Sequence, residues 1–208
     1  MMEYHKIQSL YKRDERGKML FGEYSLPEFA YLASNEWDFT EKVDGTNIRI
    51  MWDCDNIKYG GKTDNAQIPN FLVNRLVERF GGQEHLFKSV FGEATQACLY
   101  GEGYGAKIQK GGGNYRTDQD FVLFDVWVDG WWLMRDGVAD VARKMSLDVV
   151  PSIGTGTLSI FEGLVRSGIK SKWGDFQAEG IVARPSVPLF TRRGDRIITK
   201  LKSKDFVR

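Results

Sequence analysis

Lys42 stands two residues ahead of an Asp44-Gly45 turn, between two runs that alternate like strands, in Glu41-Lys42-Val43-Asp44-Gly45-Thr46-Asn47. Further groups of the same kind follow at Gly101-Glu102-Gly103, Phe124-Asp125, Glu179-Gly180-Ile181-Val182 and Lys200-Leu201-Lys202. A lysine is a poor nucleophile while protonated, and its pKa falls when it is partly desolvated or set beside other cations. A pocket gathering Lys42 with Lys200 and Lys202 would supply that cationic field, and the same ammoniums would bind a polyphosphate. Attack by Lys42 on a phosphorus would load charge onto the equatorial and leaving oxygens, which lysines and a divalent metal neutralise. Mg²⁺ needs few protein carboxylates besides water and phosphate oxygens, so Glu179 and Glu102 are the candidates, with Asp44 behind them. Each piece has an ordinary alternative. A lone K-x-D-G is a charged turn, Glu102 between glycines can decorate a loop, and Phe124 inside Val122–Val126 reads as core. Lys200 and Lys202, two apart on a strand, share one face, which is usually the solvent's. The signal lies in their order over residues 42–202.

The elements that must position these groups can be read from periodicity. Residues 37–60 alternate as strands, with a hairpin turn at Asp53–Asn56. Pro69 opens a helix through Phe80, carrying Phe71, Leu72, Leu76, Val77 and Phe80 at helical spacing, and a second helix spans Gln83–Val90. Ala97–Tyr100 and Phe121–Val128 read as central strands, with a hairpin return at Trp131–Met134. Arg135–Met145 and Thr157–Ser167 read as helices, and Gly180–Ala183 and Arg196–Leu201 as strands. The sum is an α+β fold of mostly antiparallel sheets with inserted helices. It lacks the regular β-α alternation of a doubly wound fold.

The chain has 208 residues, 42% hydrophobic and 27% charged, enough for one good-sized domain over residues 1–208. No apolar run reaches the length of a membrane span, and the N-terminus lacks a signal-peptide pattern. Cys54 and Cys98 are too few and too far apart for a disulfide framework or zinc site. A cytoplasmic protein is expected. Net charge is only +1, but Arg192, Arg193, Arg196, Lys200, Lys202, Lys204 and Arg208 face just Asp195 and Asp205. That local excess suits a phosphate or a nucleic-acid backbone as well as a solvated tail.

Three decoys fall away. Gly61-Lys62-Thr63 lacks the first glycine of a P-loop, since position 56 is Asn. The glycines of residues 101–105 have the wrong spacing for a dinucleotide fingerprint. Glu162-Gly163-Leu164-Val165 repeats the E-G-x-V pattern of residues 179–182, but Leu158, Phe161, Leu164, Val165 and Ile169 form a helical face that leaves Glu162 exposed. Glu179, at the head of a strand ended by Pro185, is the better choice.

Taken in order, the groups resemble the motif series of the covalent nucleotidyltransferases, the polynucleotide ligases and capping enzymes. Phe39-Thr40-Glu41-Lys42-Val43-Asp44-Gly45-Thr46-Asn47 is similar to the RNA ligase branch that includes phage RNA ligases and the trypanosome RNA-editing ligases. DNA ligases and capping enzymes more usually carry arginine where Asn47 stands. The resemblance implies an adenylation-domain fold around a nucleotide groove, using ATP and Mg²⁺, or Mn²⁺ in its place. By it, Lys42 carries AMP as a phosphoramidate, Glu102 sits at the sugar, and Phe124 stacks on adenine. Glu179 organises the metal, and Lys200 and Lys202 contact phosphates. Glu41, by its carboxylate or its backbone carbonyl, is the expected acceptor for an exocyclic amine, Asn47 belongs to the nucleotide-binding motif, and Lys62 stands where many relatives use arginine to contact the nucleotide or nick. The family's reaction has three steps: adenylylation of the enzyme, AMP transfer to a 5′-phosphate, and attack by a 3′-OH. RNA ends are the expected substrate, with no C-terminal OB-fold and with an accessory protein as one way to grip them. A small DNA or nick-sealing ligase, a capping-type guanylyltransferase and a non-catalytic nucleic-acid-binding module are the competing readings.

Overall fold

Three short strands begin the chain, β1 (Gln8–Ser9), β2 (Tyr11–Arg13) and β3 (Met19–Tyr24), in the computed structural model, which describes residues 3–206. Helix α1 (Pro27–Tyr31) and strand β4 (Trp37–Lys42) follow. These belong to one of two compact units, His5–Val43 joined by the described residues from Pro151 onward. The other is Asp44–Val150 with Glu3 and Tyr4. We term them the lysine unit and the inserted unit.

The inserted unit contains β5 (Thr46–Trp52), β6 (Ile57–Gly60), α2 (Asn70–Phe80), α3 (Glu84–Phe91), β7 (Ala97–Gly105), β8 (Gln119–Val128), β9 (Trp131–Trp132), α4 (Arg135–Lys144) and β10 (Asp148–Val149). Its sheet runs β10-β8-β7-β5-β6, with β9 paired to β8 and only β10 parallel to its neighbour. Alternation decides the faces. Ile48, Ile50, Trp52, Ala97 and Leu99 point to the side where Leu72, Leu76 and Phe80 of α2, Phe87 of α3 and Val138 and Val141 of α4 complete a core. Each fully buried side chain of this kind stabilises by about 1.5–3 kcal/mol. The opposite face carries Asn47, Arg49, Tyr100 and Glu102, aligned across β5 and β7 as the pairs Asn47–Glu102 and Arg49–Tyr100.

Strand β8 breaks its own alternation. Tyr100 pairs with Asp125 and Gly101 with Leu123, so Phe124 is an extra residue, a β-bulge. Leu123 and Val126 both reach the core, while Phe124 and Asp125 both meet Tyr4. At the head of β8, Asp120 is a buried carboxylate ringed by Arg79 (2.5 Å), Arg116 (2.7 Å) and Arg75 (3.4 Å).

The chain then returns to the lysine unit through β11 (Ser152–Gly156), α5 (Leu158–Ser167), β12 (Gly180–Pro185) and β13 (Thr199–Lys202). Thr157 caps α5, its hydroxyl accepting from the Ile160 N–H. The sheet runs β1-β13-β12-β4-β11, with only the β1–β13 pair parallel. Trp37, Phe39, Ile181, Ala183 and Leu201 face Leu158, Phe161 and Val165 of α5, and Phe39 stacks on Phe161 at 5.6 Å between ring centres. The architecture is α+β with mostly antiparallel strands. One expectation fails here. Glu162 is not exposed: its side chain is 20% accessible, accepts from the Tyr11 hydroxyl at 2.5 Å and pairs with Arg166. The reason is β2, which the periodicity of α5 alone could not reveal. Burial, and then Glu162 itself, push the Tyr11 hydroxyl above its ordinary pKa. The unexpected strands β1–β3, β10 and β11 are short or irregular, and β11 contains Gly154 in the left-handed region (φ 140°).

Candidate active site

Lys42 ends β4, and the antiparallel register sets it opposite Gly180, which in turn lies opposite Lys202 on β13. The two lysines thus flank one glycine in a single cross-strand row. Glu179, the residue before that glycine, reaches both. Its Oε2 lies 2.5 Å from Lys42 Nζ and its Oε1 2.6 Å from Lys202 Nζ. The three side chains are only 20%, 27% and 14% exposed for Lys42, Lys202 and Glu179, so solvent screening is reduced at the pair. A Cβ at Gly180 would stand 2.1 Å from Leu201 O and 2.8 Å from Lys202 Cα. Glycine is therefore what lets β13 close on β12 and bring Lys202 within reach. Lys200 occupies the next row, opposite Val182, which faces Thr40. It shares the face of Lys42 and is half-buried rather than fully solvated.

Glu41 points the other way, as the residue before Lys42 on a strand must. Its buried carboxylate accepts from the Ser171 hydroxyl (2.6 Å) and the Lys172 N–H (2.8 Å). The side chain is committed to the loop after α5, which leaves the Glu41 backbone carbonyl as the group that would read a base. Ser171 is a residue that sequence reasoning missed, because nothing in residues 168–178 shows periodicity.

In the inserted unit, Asn47, Glu102 and Phe124 project from the face opposite the helices. Phe124 is half-buried, its ring edge-on to Tyr4 at 5.1 Å, whereas its neighbours Leu123 and Asp125 are buried. The bulge turns this one aromatic out of the core series. The Asn47 Oδ1 is buried without a hydrogen-bond partner among the described residues. Burying an acceptor unpaired costs about 1–3 kcal/mol, so such a group marks a place where a ligand donor fits. Lys62 sits in the exposed loop after β6, which the fully buried Arg49 fixes by donating to Gly61 O (2.7 Å) and Asp64 Oδ1 (2.7 Å). Arg49, which no sequence motif marks, thereby positions the Lys62 loop. The Asp44 N–H donates to the Tyr115 hydroxyl at 3.2 Å.

The basic C-terminal segment divides. Arg192, Arg193 and Arg196 line one concavity with His5 and Lys6, Lys200 and Lys202 face the Lys42 side, and Arg208 lies outside the described residues. Among the described residues no three His, Cys, Asp or Glu side chains converge as a metal cage. The Glu179 carboxylate, part-buried between Lys42 and Lys202, is a hard oxygen donor of the kind Mg²⁺ takes alongside phosphate and water. No helix among the described residues is long and apolar enough to cross a membrane.

The sequence model of the RNA ligase family matches residues 35–202, a span that begins just before β4 and ends at Lys202. The chain belongs to the RNA ligase family. No curated protein matches it by sequence. Among solved structures, a lysine-to-alanine variant of the Naegleria gruberi RNA ligase with ATP and Mn superposes with a TM-score of 0.68 at 16% identity, covering 98% of this chain and 58% of that one. A lysine-to-methionine variant with AMP and Mn gives 0.66 at 16% identity with the same coverage, and an apo aspartate-to-alanine variant 0.67, likewise at 16% and the same coverage. These RNA ligases share its fold. The chain spans 58% of their length. Within the RNA ligase match lie all of Lys42, Glu179, Lys200 and Lys202, and the loop that holds Glu41.

Proposed function

We propose that the chain is an ATP-dependent RNA ligase whose nucleophile is Lys42. The observation that carries this reading is the Glu179 carboxylate bridging Lys42 and Lys202 across Gly180, in a chain of the RNA ligase family. Lys42 Nζ attacks the α-phosphorus of ATP, an N–P bond forms, the α–β phosphoanhydride breaks and pyrophosphate leaves. The ammonium must first lose a proton, and Glu179 Oε2 is within hydrogen-bond reach to pass it on to solvent and stay ionised. Lys202, released from Glu179 Oε1, then meets charge growing on the phosphate oxygens, and Lys200 adds a second cation on the same face. When bound, Mg²⁺ or Mn²⁺ would neutralise phosphate charge, with Glu179 as its protein ligand and Glu102 a further candidate.

Asn47, Lys62, Glu102 and Phe124 are proposed as nucleotide contacts: a donor-seeking amide, a basic loop residue, a carboxylate for the sugar and a ring for the base. AMP then passes to a 5′-phosphate, and a 3′-OH attacks with AMP released. We take RNA as the substrate and an intracellular, reducing compartment as the setting, which suits the free thiols Cys54 and Cys98. Residues 1–208 would act as one adenylation domain.

The test is to incubate the protein with Mg²⁺ and α-labelled ATP or GTP, then denature it and look for label on the chain. ATP label lost in Lys42→Ala, followed by joining of RNA ends, is the expected result. GTP label, or ATP label that survives Lys42→Ala, would overturn the assignment, and joining of DNA ends alone would move the substrate to DNA.

A further inference from the structure

Beyond the lysine row, the lysine unit has a second feature with its own chemistry. A cleft of about 720 Å³ is lined by Arg13, Lys18, Phe21, Arg166, Lys204 and Phe206. Two phenylalanines stand at its wall. Phe21 is 41% exposed, which is unusual for so large an apolar side chain, and its ring lies 4.9 Å from that of Phe206 at 33°. The Arg166 guanidinium covers both rings, 5.1 Å from Phe21 and 5.2 Å from Phe206. Lys18 and Lys204 are exposed beside them. The acidic groups nearby are already engaged: Asp205 with Arg13 at 2.8 Å, and Glu162 with Arg166 and Tyr11. What remains is Lys18 and Lys204, two exposed ammoniums beside two aromatic faces that Arg166 already covers.

The cleft is also tied to the lysine row. Asp205 Oδ2 accepts from the Lys202 N–H at 3.2 Å while its Oδ1 holds Arg13. The wall of the cleft therefore starts two residues beyond Lys202. A patch that bound only phosphate would need the cations alone, and protein interfaces are depleted in lysine, whereas Lys18 and Lys204 stand exposed beside the two rings. Unpaired bases have π faces that stack on Phe and Arg, and their backbone supplies the phosphates, which is how single strands are held without sequence preference.

We propose that this cleft binds a single-stranded segment of RNA, one base stacking at Phe21–Phe206 and Lys18 and Lys204 meeting the adjoining phosphates. The proposal rests on the ligase reading for the identity of the strand. The test uses the full chain and a short fluorescein-labelled single-stranded oligoribonucleotide, followed by anisotropy across a salt series. Attachment of AMP, which needs no RNA, is followed in parallel. Phe21→Ser should weaken binding about 5- to 100-fold, the loss of one base stack, while Phe21→Tyr restores it. Lys18→Gln and Lys204→Gln should each lower the salt slope by about 0.7. Phe21→Ser binding like the parent would overturn the proposal, as would a blunt-ended RNA duplex that binds equally well and ignores Phe21. Absence of AMP label with single-strand binding intact would instead sink the ligase reading and leave the cleft standing.

Discussion

Gly180→Ala should damage both the fold and the chemistry, although it adds one methyl group. The new Cβ would approach Leu201 O to 2.1 Å and Lys202 Cα to 2.8 Å, against a practical floor of 3.0 Å. Both obstacles are backbone, so no side chain can swing aside, and β13 must retreat from β12 by roughly 1 Å. Overpacking of this kind, with a weakened ladder, costs about 2–4 kcal/mol, or a fall of roughly 5–15 °C in melting temperature. The retreat carries Lys202 away from Glu179 Oε1, now 2.6 Å distant. A displacement of that size at reacting groups lowers rates by about 100-fold. Single-turnover labelling with α-labelled ATP, alongside thermal melting, reads both quantities. The twin motif supplies the control, because a Cβ added at Gly163 would meet nothing within 4 Å, and the residue lies inside α5. Gly163→Ala should raise stability by about 0.5–1 kcal/mol and leave labelling alone. Wild-type melting and labelling in Gly180→Ala would refute the close approach of β12 and β13, and with it the row that joins the two lysines.

Asp120→Asn should cost about 2–3 kcal/mol at neutral pH, measured by urea unfolding. Burial alone would raise the Asp120 carboxyl, but the Phe121 N–H and the Arg79 and Arg116 guanidiniums outweigh it and hold it below the ordinary value. The unfolded chain takes up that proton first, so the stabilisation is complete above about pH 4 and fades as pH falls towards the lower folded value. The gap between the two proteins should therefore narrow in acid, and a constant gap down to acid unfolding would contradict the pairing. Asn47→Val, which removes an unpartnered buried acceptor from β5, should stabilise the fold by about 1 kcal/mol, read as a higher urea midpoint, while reducing AMP labelling. Burial pushes the Cys98 thiol up to about 12, so a thiol reagent at neutral pH should modify Cys54 in the native protein and reach Cys98 only after unfolding. Rapid loss of both thiols would show that β7 opens.

Much of this is legible in the sequence because its cause is local. Ile48, Ile50 and Trp52 alternate, Leu72, Leu76 and Phe80 recur at helical spacing, and those two periods place both core faces of the inserted unit. The choice of Glu179 over Glu162 also rests on periodicity, and the structure sets them in a strand-leading position and on a helix respectively. What escapes depends on distant partners. Glu41 looks like any residue beside a turn lysine until Ser171 and Lys172 appear, 130 residues later, to take its carboxylate. Arg49 in an alternating strand reads as a solvent-facing cation, yet it is fully buried because Gly61 and Asp64 curl back over it. Strand β11 is invisible in the sequence since Gly154 and Gly156 contribute no pattern, and its existence depends on pairing with β4.

The bulge at Phe124 has a consequence best put in terms of chain length. Strand β8 carries one residue more than its pairing with β7 uses. Excising Phe124 would leave Phe121, Leu123, Val126 and Val128 in unbroken two-residue alternation, all on the core side, with Asp125 still directed at Tyr4. An insertion in a strand ordinarily flips everything after it. Here the flipped arrangement is the one the core has been built around, and the surplus residue is a detachable aromatic. Loss of a single codon would then erase a proposed base-stacking ring and leave a well-paired sheet, so the fold and the proposed stacking position occupy separable lengths of the same strand.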